Sequence, residues 1–231
     1  MGRFDDYEQA LAATATEQLP ALAVASSATE ALELALEGAH VEPVQEAASP
    51  SYFVRSAILL LSSIALRSAR AIMLVVAAGY EPEAHGLKRR LSEVHARAQA
   101  VAADESGQHA RDWLEGNGPS TPRKVAGKFG SLELFDIYSA SEHADARSVH
   151  WWLMVPTDAT EDRGIVVAPH RRPTFSNPLL TEVAMECRDM AHVLARTRGG
   201  RIEGLAELDR RIEEAIGRYF FASSTADGAP E

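Results

Sequence analysis

The sequence predicts an all-α protein, a helical bundle built on a long antiparallel helical hairpin. One small β-hairpin is also compatible with the sequence. Aromatic residues make up only 6% of the chain while alanine, leucine and glutamate are abundant, which favours helices over sheet. The most apolar run, Tyr52 to Ala78, is followed after Gly79 by a second helical pattern that continues to about Ala103. These two segments are the predicted hairpin.

The first helix of this hairpin is apolar nearly all round and carries one stripe of Arg55, Arg67 and Arg70. A helix of this kind belongs in a protein core or in a membrane. A membrane span needs about 20 residues with few charges, and arginines in mid-run are costly there, so we expect the central helix of a soluble bundle. Glu83 and Glu93 on the next helix are candidate partners for the arginines, whose alternative is to reach solvent at the helix edge.

Periodicity together with proline and glycine positions marks the other elements. The remaining predicted helices are Phe4 to Leu19, Ala21 to Glu37, a short helix after Gly107 that ends at Leu114, Ser131 to Val149, Pro178 to about Arg196, and Ile202 to Phe221. Asn177 is expected to cap the helix that starts at Pro178. The runs Trp151 to Val155 and Gly164 to Ala168 are the strands of the small β-hairpin.

Acidic and basic residues are distributed unevenly along the chain. Residues 1–50 carry nine acidic residues and one basic residue and are predicted to form an acidic N-terminal helical extension. Residues 51–222 form the predicted bundle domain, whose first 50 residues carry seven basic and three acidic residues. The two regions can pack against each other, and a basic surface for RNA is the alternative. Residues 223–231 are predicted to be a disordered tail.

Net charge and cysteine content narrow the class of protein. A net charge of −10 argues against general affinity for nucleic-acid backbones. The lone Cys187 excludes an internal disulfide and fits a reducing cytoplasm, and its neighbours Met185 and Met190 indicate a packed thiol. No apolar signal-peptide run follows the N-terminus. We therefore expect a cytoplasmic protein with no membrane partner, and the excess of arginine over lysine hints at a bacterial source.

The histidines are the first candidates for chemistry. His143, Arg147 and His150 lie at helical spacing, so a helix there would project them from one face. Such a face could hold a phosphate or a proton-transfer pair. The structural alternative is a helix end where the imidazoles cap carbonyls and Trp151 and Trp152 pack nearby.

Metal ligation has weaker support. Asp189 and His192 form a single D-x-x-H on a predicted helix, with Glu182 and Glu186 on the same element. A helical di-metal site needs paired units of this kind from several helices, and the sequence has no second one. Zinc-binding, phosphate-loop and nucleophile-elbow motifs are absent from the sequence. We predict neither a metal nor a cofactor.

Two stretches resemble an uncharacterised bacterial family of all-helical proteins of unknown function. They are GYEPEAHGLKRRLSEVHARA, from Gly79 to Ala98, and LFDIYSASEHADARS, from Leu134 to Ser148. The resemblance covers roughly residues 52 to 196. It implies a helical fold and a few polar contacts, and it implies no activity.

In that family an arginine with a glutamate three residues on recurs, and so does a serine with a histidine four residues on. The corresponding pairs here are Arg90 with Glu93 and Ser139 with His143. A structural role for the first pair is simple to state, because a buried arginine and glutamate one turn apart can bridge two long helices and fix their register.

More loosely, the chain is similar to the HEPN superfamily of helical bundles, many of which are dimeric ribonucleases in toxin and phage-defence systems. Their signature is an arginine followed at short spacing by a histidine, and Arg90 with His95 satisfies it. The resemblances and the spacing argument together give five candidate catalytic residues: Arg90, Glu93, His95, His143 and Arg147.

Three functions follow as hypotheses. The first is a non-enzymatic interaction or regulatory protein that self-associates, because long amphipathic helices outnumber any cluster of polar residues. The expected partner is a second copy, with RNA or another protein as the alternative.

The second is a HEPN-like metal-independent ribonuclease in a defence or toxin context. It would use His95 or His143 as general base or acid and Arg90 or Arg147 to stabilise phosphate charge. The third is a small-molecule sensor, which needs a cavity on the order of several hundred Å³ that a sequence cannot reveal.

Overall fold

The computed structural model describes residues 3–37, 49–117, 172–198 and 204–221, together with two short strands. In chain order the elements are α1 (Arg3–Gln18), α2 (Pro20–Glu37), α3 (Pro50–Ala77), α4 (Glu81–Ala102), α5 (Gln108–Leu114), β1 (Leu153–Met154), β2 (Gly164–Ile165), α6 (Pro173–Arg198), α7 (Leu205–Ile216) and a π-helical turn, Gly217–Phe221. The all-α prediction is confirmed. Strands β1 and β2 pair antiparallel as the small hairpin that the sequence allowed.

The predicted hairpin is the contact between α3 and α4. Helix α3 begins where the Ser49 hydroxyl accepts a hydrogen bond from the Tyr52 amide at 3.2 Å and Pro50 occupies the first turn. It ends before Gly79, whose φ of 88° suits glycine and turns the chain into α4. Pro82 and two acidic residues in the first turn start α4. The two helices pack extensively against each other, so the hairpin prediction is confirmed.

The core of the bundle lies around a central pair, α3 and α6, which contact each other and are both flanked by α2 and α4. The inner face of α3 is fully buried and consists of small and branched apolar residues: Ala57, Ile58, Leu61, Ala65, Ala69, Ile72 and Val76. Burial of this face stabilises the bundle, because each large apolar side chain removed from water contributes about 1.5–3 kcal/mol.

Two arginines of the α3 stripe, Arg67 and Arg70, face outward instead of towards α4, whereas Arg55 is half-buried. Arg67 and Arg70 are exposed, and the Arg70 guanidinium binds the Glu33 carboxylate of α2 at 2.5 Å. Glu83 is also exposed, and Glu93 forms its ion pair within α4. Of the two alternatives, Arg67 and Arg70 reach solvent at the helix edge, and the pairing of these two arginines with the acids of the next helix is not formed. They point away from α4 because the apolar side of α3 is the one committed to the core.

Helix α2 packs against the other helices of the bundle. Its alanine-rich face is buried and packs extensively against α6. The first turn of α2 leaves amides without intrahelical partners, and the Ala21 amide donates to the Asn177 side-chain oxygen of α6 at 3.2 Å. Asn177 therefore caps α2 across the helix interface and does not cap its own helix.

The start of α6 differs from the prediction by about one turn. The helix begins at Pro173, so Pro178 lies inside it. The extra turn is held by tertiary contacts, because Arg172 and Ser176 both bond to the buried Glu81 carboxylate of α4. At the other end of the chain the predicted helix from Ile202 to Phe221 divides into α7 and the π-helical turn.

Among the described residues, α3 is the one helix long and apolar enough to cross a membrane by length and composition. Residues 9–18 and α2 would pass the same test together, but the two are bent by 87° at their junction. In this structure the inner face of α3 packs against α2, α4 and α6.

The predicted helix from Ser131 to Val149 and the tail from residue 223 lie outside the described residues. Helix α5, predicted after Gly107, is confirmed. It folds back across the start of α3, where the Arg111 guanidinium lies 4.6 Å from the centre of the Phe53 ring.

The turn before α5 generates the first testable prediction. Gly107 has a φ of 69°, and a Cβ there would come within 2.8 Å of the Pro50 carbonyl oxygen. Gly116 has a similar φ of 76° but nothing within 4 Å. We expect Gly107→Ala to lower the free energy of unfolding by about 2–4 kcal/mol in urea denaturation, from backbone strain plus the clash with Pro50. The control Gly116→Ala carries the strain alone and should cost about 1 kcal/mol. Equal losses would contradict this packing.

Candidate functional site

The candidate site is the α4–α6 polar interface, a row of ionic contacts between two parallel helices. Glu81 at the start of α4 meets Arg172 and Ser176, Lys88 meets Glu182 and Glu186, and His95 meets Asp189. Glu81, Lys88, Ser92 and His95 fall on one face of α4 because their spacings of 7, 11 and 14 residues return to nearly the same angle.

At the first of these contacts, the Glu81 carboxylate is fully buried, and both of its oxygens accept hydrogen bonds. It accepts from the Arg172 backbone amide at 2.7 Å and from the Arg172 Nε at 2.9 Å. The Ser176 hydroxyl donates to the same carboxylate. Glu81 also lies in the first turn of α4, where the helix dipole favours negative charge. The contact fixes the start of α6 beside the start of α4.

At the centre of the interface lies the Lys88 ammonium, whose residue is 1% exposed. Its Nζ donates to Glu186 Oε1 at 2.9 Å and to Ser92 Oγ at 2.8 Å, and lies 3.2 Å from Glu182 Oε2. The Ser92 hydroxyl in turn donates to Glu186 Oε1 at 2.7 Å. All three ammonium hydrogens therefore have an acceptor, as a buried cation requires.

The charge state of Lys88 follows from this geometry. Burial alone lowers the pKa of a lysine, but the carboxylates of Glu186 and Glu182 outweigh burial, so the pKa of Lys88 is raised above 10.5. The resulting contribution to stability is complete below about pH 10.5 and is lost as pH rises through the raised pKa of the folded state. Lys88 is therefore a charged structural anchor at neutral pH and not a nucleophile or a base.

Cys187 lies next to this cluster and is buried. Burial, reinforced by the Glu186 charge, raises the pKa of the Cys187 thiol far above its usual range. The packed thiol predicted from the sequence is confirmed. At neutral pH the side chain stays protonated, so it has no thiolate with which to attack a substrate.

One turn beyond Ser92, His95 enters a half-exposed network that joins α4, α6 and α7. The His95 Nε2 lies 3.4 Å from Asp189 Oδ2, and the Arg188 Nε donates to Asp189 Oδ1 at 2.9 Å. Arg188 also lies 3.7 Å from Asp209 of α7, which faces His192 at 3.3 Å. Burial raises the pKa of Asp189, but the contacts with His95 and Arg188 outweigh burial and leave that pKa below its ordinary value.

The five candidate catalytic residues have different positions. His95 lies in the polar interface. Arg90 is exposed on α4, and five residues of helix turn it about 140° away from His95. Glu93 accepts from Arg97 at 3.0 Å, so the expected bridge between Arg90 and Glu93 is not formed. His143 and Arg147 lie outside the described residues.

The side chains of the candidate metal motif, and the two glutamates before it, are engaged in ion pairs. Glu182 and Glu186 hold Lys88, Asp189 holds Arg188, and His192 faces Asp209. In the part of the chain that the structure describes, no three histidine, cysteine or acidic side chains are placed to hold a metal ion.

Sequence reasoning missed Lys88 as the centre of the interface. A signal was present, because Lys88 is one of three lysines in the chain and follows Ala84 by four residues and precedes Leu91 by three. It therefore interrupts the apolar face of α4, where a charge needs buried partners. The identity of those partners could not be read, since Glu182 and Glu186 are almost a hundred residues away.

Comparisons with protein-family models, with curated proteins and with solved structures found no match to the chain.

Removal of the central cation gives the second prediction. We expect Lys88→Met to lower the free energy of unfolding by about 3–5 kcal/mol in urea denaturation, because Glu182 and Glu186 would face each other without a cation. Adding Glu182→Gln and Glu186→Gln should restore part of that loss. The matched control, Arg90→Met on the exposed side of α4, should change stability by less than about 0.5 kcal/mol. Equal effects of the two single variants would show that the cluster does not hold α4 against α6.

Proposed function

We propose that this protein is a non-enzymatic interaction protein that self-associates through the outer face of α3. The observation that carries the proposal is the exposure of two leucines on that helix, Leu60 at 50% and Leu74 at 72%. Large exposed apolar side chains on one face of a long helix are typical of protein–protein contact sites.

The exposed leucines belong to a continuous band, the α3 stripe, formed by Leu60, Ile64, Arg67, Ala71 and Leu74. A spacing of seven residues returns to within about 20° on a helix, so Leu60, Arg67 and Leu74 lie in one row. The row is about 21 Å long at 1.5 Å per residue. Ile64 and Ala71 are half-buried beside it. This spacing is the pattern that helices use to pack against other helices.

The neighbouring helix carries a further exposed leucine. Leu34 of α2 is 63% exposed and follows Glu33, whose ion pair with Arg70 joins α2 to α3. A stable interface between two copies buries about 1,200 Å² or more in total, which one helix row alone does not supply. We therefore assign the contact surface to α3 together with the end of α2.

Charge on the α3 stripe sets the condition for association. Arg67 lies midway between the two leucines, and two copies meeting about a two-fold axis would bring like charges close. Each copy also carries a net charge of −10. Salt screens both repulsions, whereas it leaves apolar contacts in place.

Self-association gives the third prediction. In size-exclusion chromatography with light scattering at micromolar concentration, the wild-type mass should exceed 25.0 kDa and rise further with added salt. The double variant Leu60→Gln with Leu74→Gln should weaken association by at least about tenfold, because its stripe loses most of its apolar area. The control Phe220→Gln changes another exposed apolar side chain, in the π-helical turn, and should leave the mass unchanged. A wild-type protein that stays monomeric in low and high salt would contradict the proposal.

The alternative function is a HEPN-like metal-independent ribonuclease in a defence or toxin context. The supporting observation is the His95 imidazole, which lies beside a carboxylate that also binds Arg188. An imidazole oriented by a carboxylate is a suitable general base or acid, and a nearby guanidinium can stabilise charge on a phosphate. In this form the alternative relies on Arg188 and not on Arg90, which faces away.

RNA cleavage in the presence of a chelator tests this alternative and is the fourth prediction. If the protein is a ribonuclease, His95→Ala or His143→Ala should reduce the rate by about a hundredfold or more while the helical circular-dichroism signal is retained. Arg90→Gln serves as the control and should cleave like the wild type. Absence of cleavage by the folded wild-type protein would eliminate the ribonuclease.

A further inference from the structure

One end of the bundle contains a cavity of about 830 Å³. It arises from the helix directions: α4 and α6 run parallel and α3 runs opposite, so the start of α3 meets the ends of α4 and α6. Its lining comes from three places. These are the first turns of α3 with Val54 and Arg55, the end of α4 and the following turn with Ala102, Ala103 and Glu105, and the last turns of α6 with Arg196.

The wall formed by the turn after α4 is held rigidly. Asp104 accepts hydrogen bonds from the Ser106 amide and hydroxyl at 3.1 and 2.6 Å, and from the His109 amide and Nδ1 at 2.7 and 2.9 Å. Gly107 then packs directly against Pro50. A cavity whose wall is fixed before a ligand arrives loses little conformational entropy on binding.

The charges of the lining are of both signs and are not used by each other. Asp104 is occupied by its own turn. Glu105 and Arg196 are exposed, and neither has an ion-pair partner within the part of the chain that the structure describes. Both charges are therefore available to a ligand, and Val54 and Ala102 supply apolar surface in the same lining.

We propose that this cavity binds a small zwitterion that carries an apolar group, the chemical class of an amino acid or short peptide with an aliphatic side chain. The ligand carboxylate would bind the Arg196 guanidinium, its ammonium the Glu105 carboxylate, and its side chain the apolar wall. Charge-assisted hydrogen bonds at both ends orient the ligand, and the volume falls in the range of small-molecule sites, about 300–1,000 Å³. This site is separate from the α3 stripe.

The test is a titration followed by NMR with three probes of similar apolar shape. Leucine carries both charges, 4-methylpentanoate only the carboxylate, and 3-methylbutylamine only the ammonium. We expect leucine to bind with a Kd of about 1 mM or tighter, and each single-charge probe about tenfold more weakly. Leucyl-leucine, which extends the apolar contact, should bind at least as well as leucine.

Matched variants locate the site. Arg196→Gln and Glu105→Gln should each weaken leucine binding by about five- to tenfold, and Arg196→Gln should affect 4-methylpentanoate but not 3-methylbutylamine. The controls Arg90→Gln and Glu83→Gln remove exposed charges of α4 that do not line the cavity and should bind like the wild type. Ala103→Trp fills the cavity from an exposed position and should abolish binding without lowering the midpoint of thermal unfolding.

Three results would overturn the proposal. One is no leucine binding by the wild type at about 10 mM. Another is equal affinity for leucine and both single-charge probes. The third is an equal loss in the cavity variants and the control variants. None of these bears on self-association, because the cavity variants leave Leu60 and Leu74 unchanged.

Discussion

The contact on which the bundle depends is the burial of the Lys88 ammonium between the carboxylates of Glu182 and Glu186. A cation that is nearly removed from water tolerates few positions for its acceptors, whereas apolar surfaces can slide past one another. Lys88 therefore sets the register of α4 against α6. The Glu81 and His95 contacts then follow at helical intervals on the same face, one towards each end of the interface.

The register of α4 and α6 also decides what α3 can present to solvent. Because α2, α4 and α6 pack around its inner side, one face of α3 is committed to the core. The remaining face carries two exposed leucines together with the exposed Arg67 and Arg70. The same helix thus supplies the centre of the fold and the surface that we assign to self-association.

The buried charged side chains between α4 and α6 are engaged in ion pairs. Lys88 is held by Glu182 and Glu186, and Glu81 is held by Arg172, which stabilises a unique packing and leaves little of these side chains for a substrate. The open polar groups lie elsewhere, in the half-exposed network around His95 and along the cavity at the end of the bundle.

Local information in the sequence determined the elements. Apolar periodicity and Gly79 predicted the α3–α4 hairpin, since these signals act within a few residues. The same local signals misplaced the start of α6 and the role of Asn177, because Glu81 of α4 and the Ala21 amide of α2 act on them from distant parts of the chain.

Only the tertiary structure decided which charges meet. The sequence identified His95 and proposed Arg90 with Glu93, but helix rotation turns Arg90 outward and Glu93 binds within its own helix. The partners of Lys88, the outward direction of two α3 arginines and the cavity beside Arg196 depend on how parallel and antiparallel helices pack. The spacing of residues along the sequence determines which of them share a face of a helix. It does not determine which other helix that face contacts.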